Sequence, residues 1–220
     1  MSKTSFQVEQ KTKQRLLEAA GEVFAERGFQ AATVKDICAR AEANIAAVNY
    51  HFRDKSSLYS AVLDYAMQQS REKAPIEVMT TTAGNPAERL RAYTRAFMRS
   101  LFDTGRPAWL GKLMVREMAD PTQAFESLID SAIRPNVKVL KALIREFTGP
   151  ELPEIEIDRC AASITGQCLY YYHSRAVVER VYPSLAYTPE SMERIAGHIA
   201  EFTRLALDGL RAKMPVDTQQ

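Results

Sequence analysis

Residues 44 to 50 carry amide and methyl side chains that suit contact with the edges of DNA bases. An asparagine amide can form two hydrogen bonds to adenine, and an alanine methyl group can pack on the methyl group of thymine. The candidates for such contacts in this segment are Asn44, Ala46, Ala47 and Asn49. The residue types leave open which of the four contacts a base.

A second group of side chains is suited to the phosphate backbone of DNA. Hydroxyl, imidazole and ammonium groups donate hydrogen bonds to phosphate oxygens, and such contacts set register rather than read sequence. The candidates for this part of the DNA contact are Thr33, Lys35, Tyr50, His51 and Lys55. The alternative is a structural helical hairpin on which Asn49, Tyr50 and His51 are ordinary surface residues.

These side chains can reach a groove only if short helices present them. Thr33 and Asn44 are good helix N-caps, so a short helix is predicted to begin after each. A longer amphipathic helix from about Lys11 to Arg27 precedes them, and Gly28 follows it as a stop signal. Two short helices packed on a longer one form the helix-turn-helix pattern, whose second short helix enters the major groove.

The rest of the chain is also predicted to be helical, because a 3.6-residue period dominates and no period-two strand pattern stands out. The segment from Pro75 to Pro86 has the composition of a linker, which divides the chain into domains 1–74 and 75–220. Pro135 lies inside a predicted helix and should kink or restart it. The predicted fold class is all-α, with an N-terminal three-helix helix-turn-helix domain and a C-terminal helical ligand-binding and dimerisation domain.

The bulk composition is that of an ordinary globular protein, with 46% hydrophobic and 25% charged residues and a formal net charge of only +2. That charge does not by itself indicate nucleic acid, although basic residues outnumber acidic ones in the first fifteen positions. Three cysteines without a CxxC spacing suggest neither a disulfide framework nor a zinc site. No signal peptide and no apolar run of membrane-spanning length are found. We therefore expect a cytoplasmic protein without cofactor, metal or membrane partner.

A set of spaced motifs resembles the DNA-binding domain of the TetR family. They are the runs Thr33-Val34-Lys35-Asp36-Ile37, Val48-Asn49-Tyr50-His51-Phe52 and Asp54-Lys55. The resemblance covers about Thr12 to Ala66. It implies an all-helical homodimer that reads a palindromic operator with its groove helix, grips phosphates with the tyrosine, histidine and lysine positions, and senses a small-molecule effector in its C-terminal domain.

The turn between the two short helices departs from the family pattern, which usually has glycine where this chain has Glu42. A left-handed backbone conformation costs a residue other than glycine roughly 1 kcal/mol. Either the turn has a different shape here, or the stability and DNA affinity of this domain are slightly reduced.

The C-terminal half resembles a TetR subgroup called CecR-like. The resemblance rests on the segment from Arg116 to Thr122, with Ala124 and Phe125, and on the segment from Gly166 to Cys168 followed by aromatic residues. That subgroup is associated with the control of efflux transporters and antibiotic sensitivity. The resemblance therefore implies a drug-like or otherwise amphipathic effector.

Aromatic and methionine side chains in the C-terminal half are candidates for the effector site, since ligand sites in helical bundles are mostly apolar. The set is Phe97, Trp109, Met114, Met118, Phe125 and His173. For any one apolar member, core packing is the more common role, and an interior position is the favoured interpretation of His173. Arg116 and Glu117 could orient a ligand or form a surface pair.

The last two long helices carry wide apolar stripes, which a twofold four-helix interface would bury. The predicted interface residues are Leu169, Ile195, Ile199 and Phe202. The alternative is packing within one chain. An enzyme is not expected, because no Ser/His/Asp order, phosphate-binding loop or HExxH motif is present. A helical scaffold that binds another protein through the stripe around Phe202 stays the second alternative.

Overall fold

The computed structural model describes residues 3–73, 75–82, 84–102 and 107–213, and every regular element in these ranges is a helix. The elements are α1 (Lys3–Ala31), α2 (Val34–Arg40), α3 (Ile45–Phe52), α4 (Lys55–Lys73), α5 (Ile76–Thr81), α6 (Pro86–Phe102), α7 (Leu110–Ala119), α8 (Phe125–Leu128), a π-helical turn (Ile129–Ile133), α9 (Arg134–Thr148), α10 (Glu154–His173), α11 (Arg175–Val181) and α12 (Pro189–Ala212). The predicted all-α class is confirmed. None of these described helices combines the length and the apolar character that crossing a bilayer requires.

The described residues of 1–72 and 104–133 pack as one compact unit, the N-terminal unit. Its core joins α1 to α4 with α7, through buried side chains that include Phe24, Val48, Leu58 and Trp109. The indole of Trp109 lies directly against Gly21 of α1, where any larger side chain would collide with the ring. Helix α7 therefore completes the core under the helix-turn-helix.

The described residues of 73–103 and 134–220 form a second compact unit, the C-terminal unit. Helices α6, α9, α10 and α12 share its core, in which Tyr93, Leu140, Ile144 and Leu207 are buried. The two packing units thus differ from the predicted division into 1–74 and 75–220, because α7, α8 and the π-helical turn pack with the N-terminal helices.

The predicted linker between Pro75 and Pro86 contains a helix, so that local prediction was wrong. Ile76 is buried in the core of the C-terminal unit, and the buried Thr80 hydroxyl donates to the Ile76 carbonyl at 2.6 Å. Burial of the apolar Ile76 side chain outweighs the low helix propensity of the threonine run.

The predicted break at Pro135 is confirmed, because the π-helical turn Ile129–Ile133 ends there and α9 begins. Proline has no backbone N–H, so it cannot donate to the carbonyl four residues earlier, which belongs to Ser131. The Arg71 guanidinium donates to that carbonyl instead, at 2.5 Å. Within the N-terminal unit, the end of α4 is thereby tied to the π-helical turn.

Candidate nucleic-acid interface

Side-chain caps fix the starts of α2 and α3, as the sequence predicted. The Thr33 hydroxyl accepts from the Asp36 backbone N–H at 3.1 Å and donates to the Asp36 carboxylate at 2.6 Å. The Asn44 amide oxygen accepts from the Ala47 N–H at 2.9 Å. These bonds satisfy backbone donors that a helix start leaves unpaired, so the two short helices have defined first turns.

The turn between α2 and α3 keeps the shape that glycine would favour. Glu42 adopts a left-handed conformation with φ of 49°. The Ala43 N–H donates to the Cys38 carbonyl at 3.0 Å, and the Glu42 N–H approaches the Ala39 carbonyl at 3.5 Å. This is the Schellman pattern of a helix C-terminus. Of the two alternatives for Glu42, the structure shows an unchanged turn whose backbone strain is borne by a glutamate.

Helix α3 has a buried face and an exposed face. Val48 and Phe52 are buried, and Ala47 is half-buried against the core. Asn44, Ala46 and Asn49 are exposed. Val48 thus holds the helix in place, whereas Ile45 is 52% exposed and joins the outer face. The sequence had left open which of these two apolar residues turns inward. Ile45 is an added candidate for contact with a thymine methyl group.

The phosphate candidates Thr33, Lys35 and Tyr50 are exposed around α2 and α3, and His51 is half-buried. Tyr50 is 70% exposed, and its hydroxyl donates to the Glu9 carboxylate of α1 at 2.9 Å. That hydrogen bond and the negative charge of Glu9 raise the pKa of Tyr50. Its single O–H is used by Glu9 here, so Tyr50 must leave that carboxylate before it can donate to a phosphate oxygen.

Lys55 is the exception, and its predicted phosphate contact is corrected. Its ammonium donates to the carbonyls of Phe29, Gln30 and Ala32, at 2.9, 3.3 and 3.1 Å, and lies 4.6 Å from the Phe29 ring centre. An ammonium has three N–H donors, and all three are used. Because the carbonyls at a helix C-terminus carry partial negative charge, Lys55 caps the end of α1.

Arg53 supplies an exposed cation at the end of α3 that the sequence motifs did not single out. Its backbone has φ of 72° and ψ of −55°, and the Asp54 N–H donates to the Phe52 carbonyl at 2.9 Å. Those values describe a γ-turn of the rare, strained kind. The signal available in the sequence was only a basic residue directly after the groove helix.

Arg116 and Glu117 of α7 form hydrogen bonds with other parts of the N-terminal unit rather than with each other. Arg116 donates to the carbonyls of Ala25 and Glu26, each at 3.0 Å, close to the kink where Gly28 has φ of 78°. The carboxylate of Glu117 is fully buried and accepts from Tyr59 of α4 at 2.5 Å and from the N–H and hydroxyl of Thr122 at 2.9 Å. The surface-pair interpretation of these two residues is therefore wrong.

The predicted effector residues are divided between the two units. Trp109 and Met114 pack into the core of the N-terminal unit, whose range also holds Met118 and Phe125. Phe97 packs in the C-terminal unit. Met118 is 44% exposed, and His173 is exposed rather than interior. Within either unit, the described residues do not bring this set together as one site.

The predicted dimer contacts are likewise of two kinds. Ile195 and Ile199 are 5% and 1% exposed, inside the core of their own chain, which corrects their assignment to an outer stripe. Phe202 and Leu205 are 58% and 57% exposed, and Leu169 is half-buried. Three residues along an α-helix place Phe202 about 60° around the axis from Ile199, so α12 passes there from its core face to an exposed apolar one.

Known proteins match both parts of the chain. Residues 16–62 match the bacterial regulatory proteins of the tetR family, and residues 86–210 match the C-terminal domain of the HTH-type transcriptional dual regulator CecR. The CecR protein of Shigella flexneri is 26% identical over 211 residues, which are 91% of this chain and 93% of the relative. An HTH-type transcriptional repressor of Mycobacterium tuberculosis is 31% identical over 138 residues, 60% of this chain and 68% of the relative.

Solved structures share the fold at low identity. AibR, crystallised with isovaleryl coenzyme A and operator DNA, superposes with a TM-score of 0.63 at 20% identity, over 87% of this chain and 97% of that one. FadR of Bacillus subtilis, crystallised with stearoyl-CoA, gives 0.64 at 15% identity, over 86% and 96%. The sequence matches in both halves of the chain and the helix-turn-helix geometry therefore point to one family. The chain belongs to the TetR family of DNA-binding transcriptional regulators, in the group with a CecR-type C-terminal domain.

Proposed function

We propose that this regulator is a homodimeric repressor that binds a palindromic operator and leaves it when a small amphipathic effector binds, with efflux genes among its targets. The observation that carries the proposal is the outer face of α3. Asn49 is exposed there, while Val48 and Phe52 anchor the opposite face in the core. A polar face on a rigidly seated short helix is what reading of the major groove requires.

In this proposal, base contacts come from the start and middle of α3, and phosphate contacts surround them. Asn44, Ile45, Ala46 and Asn49 face the bases, with Ala47 at the edge of that face. Thr33, Lys35, Tyr50, His51 and Arg53 contact phosphates. The basic residues that precede position 16 add a local positive field, which attracts the DNA backbone.

A homodimer follows from the limited reach of one helix and from the outer face of α12. One short helix contacts too few base pairs for useful specificity, whereas two helices about 34–36 Å apart read half-sites one helical turn apart. Phe202 and Leu205 give α12 an apolar surface that a second copy of the chain would cover.

The effector part of the proposal is supported by the relatives. Two proteins of the same fold were crystallised with acyl-coenzyme A ligands. Control of efflux genes is what the resemblance of the C-terminal half to the CecR-like group implies. An effector can release DNA only if it binds the DNA-competent and the released arrangements with different affinities. One relative is named a repressor, which supports repression by this chain. Another is named a dual regulator, so activation is the alternative outcome that the experiment must distinguish from repression.

A gel-shift titration on the region upstream of the regulator's own gene tests the proposal. We expect sequence-preferring binding that weakens steeply with salt, and release by at least one compound from a panel of antibiotics and aromatic metabolites that also raises the melting temperature. A homogeneous dimer without salt-sensitive, sequence-preferring DNA binding would overturn the operator proposal. Binding that no compound in the panel weakens would overturn the effector class.

A further inference from the structure

A cavity of about 370 Å³ lies inside the N-terminal unit, between the end of α1, the start of α4, and α7 with the loop that follows it. Phe29 of α1, Tyr59 of α4 and Arg116 of α7 each form part of its wall. The volume falls near the lower end of the ~300–1,000 Å³ that small-molecule sites span. This cavity is separate from the effector residues predicted in the sequence, since of that set none lines it.

A buried carboxylate lines this cavity without a cationic partner at hydrogen-bond distance. Glu117 has no exposed surface, and its hydrogen bonds within the described unit come from neutral groups, the Tyr59 hydroxyl and the N–H and hydroxyl of Thr122. The nearby cations are engaged elsewhere, because Arg116 and Lys55 donate to backbone carbonyls of α1. A buried charge without an opposite charge is costly, so a cation placed beside it is favoured.

The charged groups of the wall favour the same ligand class. Arg116, Glu117 and Asp120 line the cavity, one guanidinium against two carboxylates, which gives a net charge of −1. The aromatic part of the wall consists of Phe24, Phe29 and Tyr59, whose rings meet at centre distances of 4.8 to 6.1 Å. Lys55 already lies over the Phe29 ring, so these rings serve mainly to pack against a flat apolar group.

We propose that this cavity binds a small organic cation with a flat apolar body, whose charged nitrogen donates to the carboxylate of Glu117. The ligand nitrogen would share or replace the Tyr59 hydroxyl as a donor to that carboxylate. Tyr59 packs edge-on against Phe24 at 4.8 Å, so occupation of the cavity changes a contact between α1 and α4. Ligand binding at this site does not depend on the proposed operator binding, so it can be measured on the protein alone.

Titration calorimetry on the full chain with three probes of matched shape tests this site. Benzamidine is cationic, benzamide is neutral and benzoate is anionic. We expect benzamidine to bind at least tenfold more tightly than either of the other two. Equal affinity for benzamidine and benzamide, or no binding of benzamidine at millimolar concentration, would overturn the proposal.

Variants locate the probe. Glu117→Gln keeps the size of the side chain and removes the charge, so benzamidine affinity should fall at least tenfold. Glu18→Gln removes an acid from a separate groove on another side of α1 and should leave the affinity unchanged. Tyr59→Phe frees the carboxylate from one donor and should tighten binding, which keeps the proposal testable if Glu117→Gln does not fold. Loss of affinity in Glu18→Gln, or an unchanged or weaker affinity in Tyr59→Phe, would place the probe elsewhere.

Discussion

The hydroxyl of Tyr59 donates to the carboxylate of Glu117 across 2.5 Å, and both side chains are buried, although 58 residues separate them in the chain. This bond joins α4, which follows the groove helix, to α7. Removal of this donor should lower the free energy of unfolding, because the carboxylate would stay buried with one hydrogen-bond partner fewer.

Tyr59 gives the fold a predicted sensitivity to alkaline pH. Burial, and then the hydrogen bond to Glu117, raise its pKa above the ordinary tyrosine value near 10. Above that value the unfolded chain loses a proton that the folded chain keeps, so stability is full below about pH 10 and falls as the pH rises further. Urea unfolding from pH 8 to pH 11 measures this slope.

Two variants compare the contribution of Tyr59 with that of Tyr65 in this experiment. Tyr59→Phe should lower the free energy of unfolding at neutral pH by about 1–3 kcal/mol and flatten the alkaline slope. Tyr65→Phe, which removes a half-buried hydroxyl 3.3 Å from Glu18, should change both less. An alkaline slope as steep in Tyr59→Phe as in the wild type would contradict the assignment.

Glu42→Gly should stabilise the protein by about 1 kcal/mol, because glycine adopts the left-handed conformation seen at this position without a steric penalty. It should also tighten DNA binding, since a negative charge leaves the surface of the helix-turn-helix. Glu42→Ala is the matched control, which removes the charge and keeps the backbone strain. Thermal unfolding and operator titrations on both variants separate the two effects, and equal stability of Gly and Ala variants would argue against strain.

Lys55 and Arg53 should respond oppositely to removal of their charges. Lys55→Met leaves three carbonyls at the end of α1 without their donor, so it should destabilise the fold by about 1–3 kcal/mol with little change in the salt dependence of DNA binding. Arg53→Gln should leave stability nearly unchanged and reduce the salt slope by about one phosphate contact. The reverse pattern would restore Lys55 as the phosphate contact.

Asn49→Ala should relax the preference at one base pair of each half-site, by about 1–3 kcal/mol. Tyr50→Phe and His51→Ala should instead weaken binding to all sequences alike. Binding-site selection from a randomised operator library reads out this difference. An unchanged selected sequence with Asn49→Ala would move the base contacts to Asn44, Ile45 or Ala46.

Phe202→Glu should convert the proposed dimer into a folded monomer, because it puts a charge on the outer face of α12 at a side chain that is 58% exposed within one chain. Ile199→Glu, three residues earlier in the same helix, should instead unfold the chain, since that side chain is 1% exposed in the core. Light scattering and circular dichroism distinguish the two outcomes. A dimer that survives Phe202→Glu would remove this face of α12 from the interface.

The features that the sequence predicted well depend on neighbours within a few residues. The side chains of Thr33 and Asn44 each accept a hydrogen bond from the backbone N–H three residues ahead. Pro135 interrupts the helical hydrogen-bond pattern because it has no backbone N–H. The sequence also narrowed the inward-facing residue of α3 to Ile45 or Val48, and the structure shows that it is Val48.

The features that the sequence did not predict depend on partners that are distant along the chain. Lys55 donates to carbonyls 23 to 26 residues away, and Arg116 to carbonyls about 90 residues away. Nothing in the local pattern separates such a cation from one that faces solvent or phosphate. Trp109 was a candidate for the effector site, with core packing as its more common role. The local pattern did not show that it packs in the core of the N-terminal unit, where it lies against Gly21.

The packing of Trp109 against Gly21 limits which domains of related regulators can be recombined. A hybrid protein that joined residues 1–74 to the sensor of a relative would present a foreign residue where Trp109 fills the space above Gly21. It would also lose the acceptor for Tyr59 unless the donor sequence supplied an equivalent of Glu117. Recombination that preserves function should therefore carry α7 together with the DNA-reading helices, as a two-piece cassette rather than as one continuous stretch.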